Sequence, residues 1–157
     1  MILNVFRVIA LWKEARVVTS GASIDERSAA VIAGIEAIDP KWILHLPSST
    51  LKTIVGHFLA RDGQDGFRCV PIPREEEGIG ILSGLAIAGT PAVMIIQDNG
   101  IGNLLTALNT FPAPYHLPLL VVVARRGGLG EYNRYNCSQC GPAFPLDGRR
   151  RMSGHAA

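Results

Sequence analysis

The sequence predicts a doubly wound α/β domain on a parallel sheet, and three observations predict it. Four short apolar runs, Trp42–Leu46, Phe67–Ile72, Ala92–Ile96 and Leu119–Ala124, have strand length and no polar alternation, the pattern of strands covered on both faces. Segments with helical spacing separate them. The connections are long enough for right-handed crossovers, which bring each strand back parallel to the last.

Taken in order, Ser23 and Glu26 form a capping box that pairs two free amides at a helix start. Ile24, Ser28, Val31, Ile35 and Ile38 then recur at helical spacing. Asp39-Pro40 ends that helix, because a residue before proline is pushed out of helical geometry. Pro47 stops the first strand, and Ser48, Ser49 or Thr50 caps a second helix that runs to about Ala60 and breaks at Asp62-Gly63. A third helix is predicted from Glu75 to Ala88 and a fourth from Ile101 to Thr110. After Glu131 the apolar pattern stops. The expected division is an extension over 1–22, the domain over 23–131 and a basic Gly- and Pro-rich tail over 132–157.

Bulk composition narrows the function. The chain has 157 residues, with 48% hydrophobic and 18% charged, enough for one packed domain and too apolar for disorder. A formal net charge of +2, most of it at Arg149, Arg150 and Arg151, gives no footprint for nucleic acid. The opening run Met1–Trp12 is interrupted by Asn4 and Arg7, whereas a membrane span needs about 20 apolar residues. It reads as an extra strand or helix, or an extension. Three cysteines make no disulfide framework, and Cys137-x-x-Cys140 lacks the further ligands a zinc site needs. Cys69 is expected to be a buried thiol, and a reducing, cytoplasmic setting fits best. No metal site is expected.

Ligands of doubly wound sheets sit beyond the carboxyl ends of the strands, which points to the loops Pro47–Thr50, Pro73–Glu77, Gln97–Asn103 and Arg125–Gly128. In Arg74-Glu75-Glu76-Glu77-Gly78-Ile79-Gly80 three acids stand at a helix start, where the helix dipole favours them. Taken alone, the triplet is a solvated helix terminus. The helix that follows is nearly all apolar and small, with Gly78, Gly80, Ser83, Gly84, Ala86, Ala88 and Gly89, so it is expected to be buried or to pack closely on another backbone. A carboxylate at its mouth is then partly desolvated. Gln97-Asp98-Asn99-Gly100-Ile101-Gly102-Asn103 joins strand to helix, and its free amides suit an anion; it is equally a tight turn with close packing. Pro47-Ser48-Ser49-Thr50-Leu51-Lys52 is a helix cap or a set of hydroxyls and a cation for a charged substrate. His45 reads as a core or rim histidine and His57 as helix surface. No nucleophile triad or P-loop can be assembled.

Together these segments resemble the pyrimidine-binding domain of thiamine diphosphate enzymes. The likeness rests on Glu75 with Gly84 nine residues later, the Gly100-Ile101-Gly102-Asn103 turn, and the run Pro118-Leu119-Leu120-Val121-Val122-Val123. It is strongest to the sulfopyruvate decarboxylase alpha-subunit family and its phosphonopyruvate decarboxylase relatives. There "REEEGIG", "QNSGLGN" and "RG" recur at the spacing of Arg74–Gly80, Gln97–Asn103 and Arg126-Gly127.

The resemblance implies a thiamine diphosphate-binding fold and a 2-oxoacid decarboxylase, with sulfopyruvate converted to sulfoacetaldehyde and CO2. The alternatives are phosphonopyruvate or another anionic 2-oxoacid, or a non-catalytic or truncated domain. It implies that Glu75 hydrogen-bonds the aminopyrimidine of the cofactor and sets the tautomer that activates the thiazolium. It also implies cofactor contacts at Gly100, Gly102 and Asn103, and substrate contacts at Ser48, Lys52, Gln97, Asn99 and Arg126. No Gly-Asp-Gly motif for the diphosphate occurs in the chain. The resemblance therefore implies a beta subunit holding Mg2+ and diphosphate, in a hetero-oligomer with the site at the interface. Asp98-Asn99 stands where the family often has Asn-Ser, and the tail departs from the family pattern.

Overall fold

The computed structural model describes residues 24–126 together with Asn133, Tyr135 and Asn136. Helix α1 (Ile24–Glu36) leads to strand β1 (Trp42–His45). A 3-10 turn at Ser49–Leu51 opens helix α2 (Lys52–Leu59), followed by β2 (Arg68–Pro71), α3 (Glu75–Ile87) and β3 (Ala92–Gln97). A second 3-10 turn at Asp98–Gly100 opens α4 (Ile101–Thr110), and β4 (Leu120–Ala124) completes the sheet. Each predicted element forms, with ends shifted by a residue or two, the usual spread for frayed termini. The Ser23 cap, the 1–22 extension, the end of the domain at 131, the 132–157 tail as a whole and the Cys137–Cys140 pair lie outside the described residues, so those expectations stand as they were.

The sheet is parallel throughout, in the order β2-β1-β3-β4. α1 and α2 cover one face through Ile35, Ile54, Val55 and Phe58, packed on Ile43, Cys69, Val93 and Ile95. α3 and α4 cover the other through Ile79, Leu82 and Leu104, packed on Leu44, Met94 and Ile96. This is the two-faced arrangement the apolar runs predict. Coverage is complete only in the centre: Ile43, Leu44, Val93, Met94, Ile95 and Ile96 are each 0% exposed. β4 is half-buried along its whole length, and Arg68 and Pro71 of β2 are exposed. Outer strands lack a neighbour on one side, so continuous apolar sequence does not guarantee a covered strand.

Backbone detail sets the ends of the helix that matters most. Gly89, at φ 69°, terminates α3; its amide donates to Ala86 O at 3.1 Å and that of Thr90 to Leu85 O at 2.9 Å. This is the left-handed closure that glycine alone adopts without steric cost, and it turns the chain directly into β3. At the other end, a Cβ on Gly78 would run into the side chains of Ile72 and Met94. The missing side chain lets the first turns of α3 lie against the sheet.

Two expected placements hold, one in the core and one on the surface. The Cys69 thiol is buried and its pKa is pushed up to about 11, by burial first and the nearby Asp62 charge second. It is a packing group with little thiolate at neutral pH. His57 lies on the surface and meets Glu36 Oε1 at 2.8 Å. Among the described residues no helix is long and apolar enough to cross a membrane.

His45, at the end of β1, is only 5% exposed and neither ring nitrogen has a hydrogen-bond partner. Burial lowers its pKa from the ordinary 6.5, so it is neutral in the folded protein at neutral pH. The unfolded chain then binds the extra proton first as pH falls. Stability is full above about 6.5 and is lost below it, down to the depressed folded value. His45→Leu should raise stability by about 1 kcal/mol at neutral pH, since an unpaired buried polar group costs about 1–3 kcal/mol. It should also flatten this part of the acid limb. Denaturant melts of both proteins at pH 7.5 and 5.5 check this; parallel losses in the two would refute it.

Candidate functional site

The topology creates one crevice. From β1 the chain steps to one side to form β2, then returns to the other side of β1 as β3. The loops after β1 and β3 therefore diverge at the carboxyl edge of the sheet, the switch point where doubly wound folds take their ligands.

Side chains tie that point together. Gln97, the last residue of β3, donates from Nε2 to Ser48 Oγ and, at 3.3 Å, to Thr50 Oγ1. The two hydroxyls lie 2.9 Å apart. Asp98 fastens the next strand, its Oδ2 accepting the Arg126 amide at 2.8 Å, while its Oδ1 is buried and unpaired.

The three acids at the start of α3 take three different environments. Glu77 is exposed, and Glu76 meets Arg74 at 3.1 Å with its other oxygen buried and unpaired. Glu75 turns inward and is only 8% exposed. Its Oε2 accepts a hydrogen bond from Asn103 Nδ2 at 3.0 Å. Its Oε1 lies against Gly100, where an added Cβ would fall on the carboxylate itself. The free amides at the start of α3 favour the negative charge. Two helices thus shape one carboxylate seat: α3 supplies the acid, and α4 with its entry turn supplies the donor and the gap.

The predicted site residues fall into two groups on opposite faces of the sheet edge. Glu75, Gly100 and Asn103 make one, on the α3–α4 side; Ser48 and Gln97 make the other, joined by Thr50. Lys52 is exposed at the first turn of α2, and Asn99 is half-buried beside Gly100. Neither joins a cluster by a hydrogen bond among the described residues. Gly102 is exposed with open space where a Cβ would stand, so packing within the chain does not demand glycine there. Arg126 meets the site through its backbone amide. Thr50, one of the loop hydroxyls the sequence offered, joins the Ser48–Gln97 cluster, whereas sequence reasoning gave Asp98 no structural part. The signal for Asp98 was available, since it departs from the Asn of the motif it resembles.

Among the described residues the outer face of α3 is bare. Gly80 and Gly84 have open space above them, and Ile81 and Ile87 are 42% and 64% exposed. The sequence led us to expect a helix buried or packed on another backbone; one side packs on the sheet, and the other meets no partner among the described residues. Among the described residues no three His, Cys, Asp or Glu side chains gather into a metal-binding group.

No family model matches the sequence. Curated proteins do. The chain is 31% identical over 107 residues to the sulfopyruvate decarboxylase subunit alpha of Methanothermobacter thermautotrophicus, covering 68% of this chain and 63% of that protein. It is 31% identical over 104 residues to the same subunit of Methanococcus maripaludis, covering 66% and 60%. Phosphonopyruvate decarboxylase of Streptomyces viridochromogenes is more distant, 23% identical over 104 residues, covering 66% of this chain and 25% of that protein. The matched part is therefore less than two thirds of the length of the alpha subunits.

Proposed function

The chain is related to the alpha subunits of sulfopyruvate decarboxylase, and from that premise we propose that it is the pyrimidine-binding subunit of a thiamine diphosphate-dependent 2-oxoacid decarboxylase. Sulfopyruvate is the proposed substrate, with sulfoacetaldehyde and CO2 the products. The observation that carries this reading is the Glu75 seat: a buried carboxylate at a helix mouth, on the ligand edge of the sheet, with one oxygen held and the other uncommitted among the described residues.

Such a seat fits an aminopyrimidine: a carboxylate of fixed orientation would favour the imino tautomer, in which the ring nitrogen carries the proton and donates it to Glu75. When bound, the cofactor supplies a nucleophilic carbon and takes up the electron pair released with CO2. The protein's own tasks are placement and electrostatics. Glu75 holds the ring-nitrogen proton. Gly100 leaves room for the carboxylate, and Asn103 fixes its second oxygen. Ser48, Thr50 and Gln97 close the switch point and offer polar groups to the anionic end of a 2-oxoacid, with Lys52 two residues beyond Thr50 and Arg126 joined to Asp98 through its backbone amide.

We assign the diphosphate and its Mg2+ to a partner: the relatives are named as alpha subunits, and these 157 residues carry no Gly-Asp-Gly motif. The bare face of α3, which begins at Glu75 itself, is suited to that partner's contact: Gly80 and Gly84 admit a close backbone, and Ile81 and Ile87 offer apolar area.

The test is coexpression with a beta subunit that carries a Gly-Asp-Gly motif, followed by measurement of CO2 release from sulfopyruvate. Release should require both chains and added thiamine diphosphate. Turnover of phosphonopyruvate in preference to sulfopyruvate would move the substrate within the reading. No cofactor binding by the pair, with either acid, would sink it.

A further inference from the structure

We infer that Asn103 is a positioning residue that acts on the cofactor through Glu75 and makes no essential cofactor contact of its own. The inference rests on the reading of Glu75 as the cofactor's partner, and it reassigns a residue that the sequence motif alone would place on the ligand. Three observations carry it. Asn103 directs its one donor group at Glu75 Oε2, at 3.0 Å. That bond links two helices through residues 28 apart in the chain, so it fixes the approach of α4 to α3 at the site. Glu75 has no other hydrogen-bond donor among the described residues, and the remaining oxygen rests against Gly100.

The physical consequence follows from the chemistry of a carboxylate. An ionised glutamate accepts and never donates, and with both oxygens free it turns about its last torsion, which has broad wells. An amide donor on Oε2 removes that freedom and leaves Oε1 as the oxygen that meets a ligand. Holding a reacting group within a narrow geometry is worth large factors in rate, and about 1 Å of misplacement costs about a hundredfold. Asn103 would act in this way even though it is exposed in the free chain.

A thermodynamic cycle on the assembled two-chain complex tests this. Thiamine diphosphate affinity is measured by calorimetry for wild type, Asn103→Ala, Glu75→Gln and the double variant. If Asn103 works through Glu75, Asn103→Ala weakens binding about tenfold in the wild-type background and leaves it unchanged beside Glu75→Gln. Asn103→Asp, which keeps the shape and loses the donor, should weaken binding at least as much. A readout free of cofactor accompanies it: the Asn103 side-chain amide resonance of the chain should move on Glu75→Gln. Equal losses in both backgrounds would mean direct contact and overturn the inference while leaving the role of Glu75 intact. No effect of Glu75→Gln on binding or turnover would instead remove the reading beneath it.

Discussion

Glu75→Gln should lower decarboxylation by the assembled enzyme by about a hundredfold to ten-thousandfold, the range over which one positioned proton-transfer group acts. The complex itself should survive. Glutamine has nearly the same shape, and its carbonyl oxygen can still accept from Asn103, so the bond between α3 and α4 persists. Only the negative charge and its affinity for a ring-nitrogen proton are lost. The size of the buried seat sharpens the comparison: at 8% exposure there is little water to stand in for the carboxylate. Turnover, cofactor affinity and thermal melting measured side by side decide the matter. Near-normal turnover in a folded Gln variant would remove Glu75 from the chemistry. Lost turnover with a lowered melting temperature would point to a structural role.

Gly100→Ala is the second large effect, and here stability and activity should part. Gly100 has φ −88° and ψ −6°, a conformation any residue adopts, so the backbone has no need of glycine. The added methyl nonetheless falls on the Glu75 carboxylate and pushes it off Asn103. Activity should fall about a hundredfold by displacement of the group, while the melting temperature stays level or falls slightly. Gly102→Ala supplies the contrast, since the space above Gly102 is open within the chain. If Gly100→Ala retained wild-type turnover, the close approach of Glu75 to that backbone would have no functional weight.

What could be read from sequence follows from which forces are local. Strand positions were legible because Trp42–Leu46, interrupted only by His45, and Ala92–Ile96 are apolar runs between proline and glycine stops. The helix end at Asp39-Pro40 was legible from its proline, whereas Gly89 was read as one of the small residues of α3 and its closing role came from the structure. Glu75 could be singled out from its neighbours only through the motif it resembles, since the dipole favours all three acids alike. What separates them is a contact across elements: Glu75 meets α4, Glu76 meets Arg74, and Glu77 meets solvent. The same holds for Gly100, whose reason for being glycine is a side chain 25 residues earlier. The link from Gln97 to Ser48 and Thr50 likewise depends on strand order, which apolar spacing does not encode. The exposed side of α3 was the clearest departure, because an apolar helix looks buried until its partners are counted.

The strand order also governs how the chain reaches this state. Trp42 pairs with Arg68 on one side and Ala92 on the other, and among the described strands none pairs through a short hairpin. Every ladder must wait for the closure of a long loop, whose entropic cost precedes any gain from pairing. Chains of this contact pattern fold slowly. During that interval the central valines and isoleucines are open to other nascent copies, so yield from a ribosome should depend on temperature and expression rate more steeply than the final stability alone would dictate.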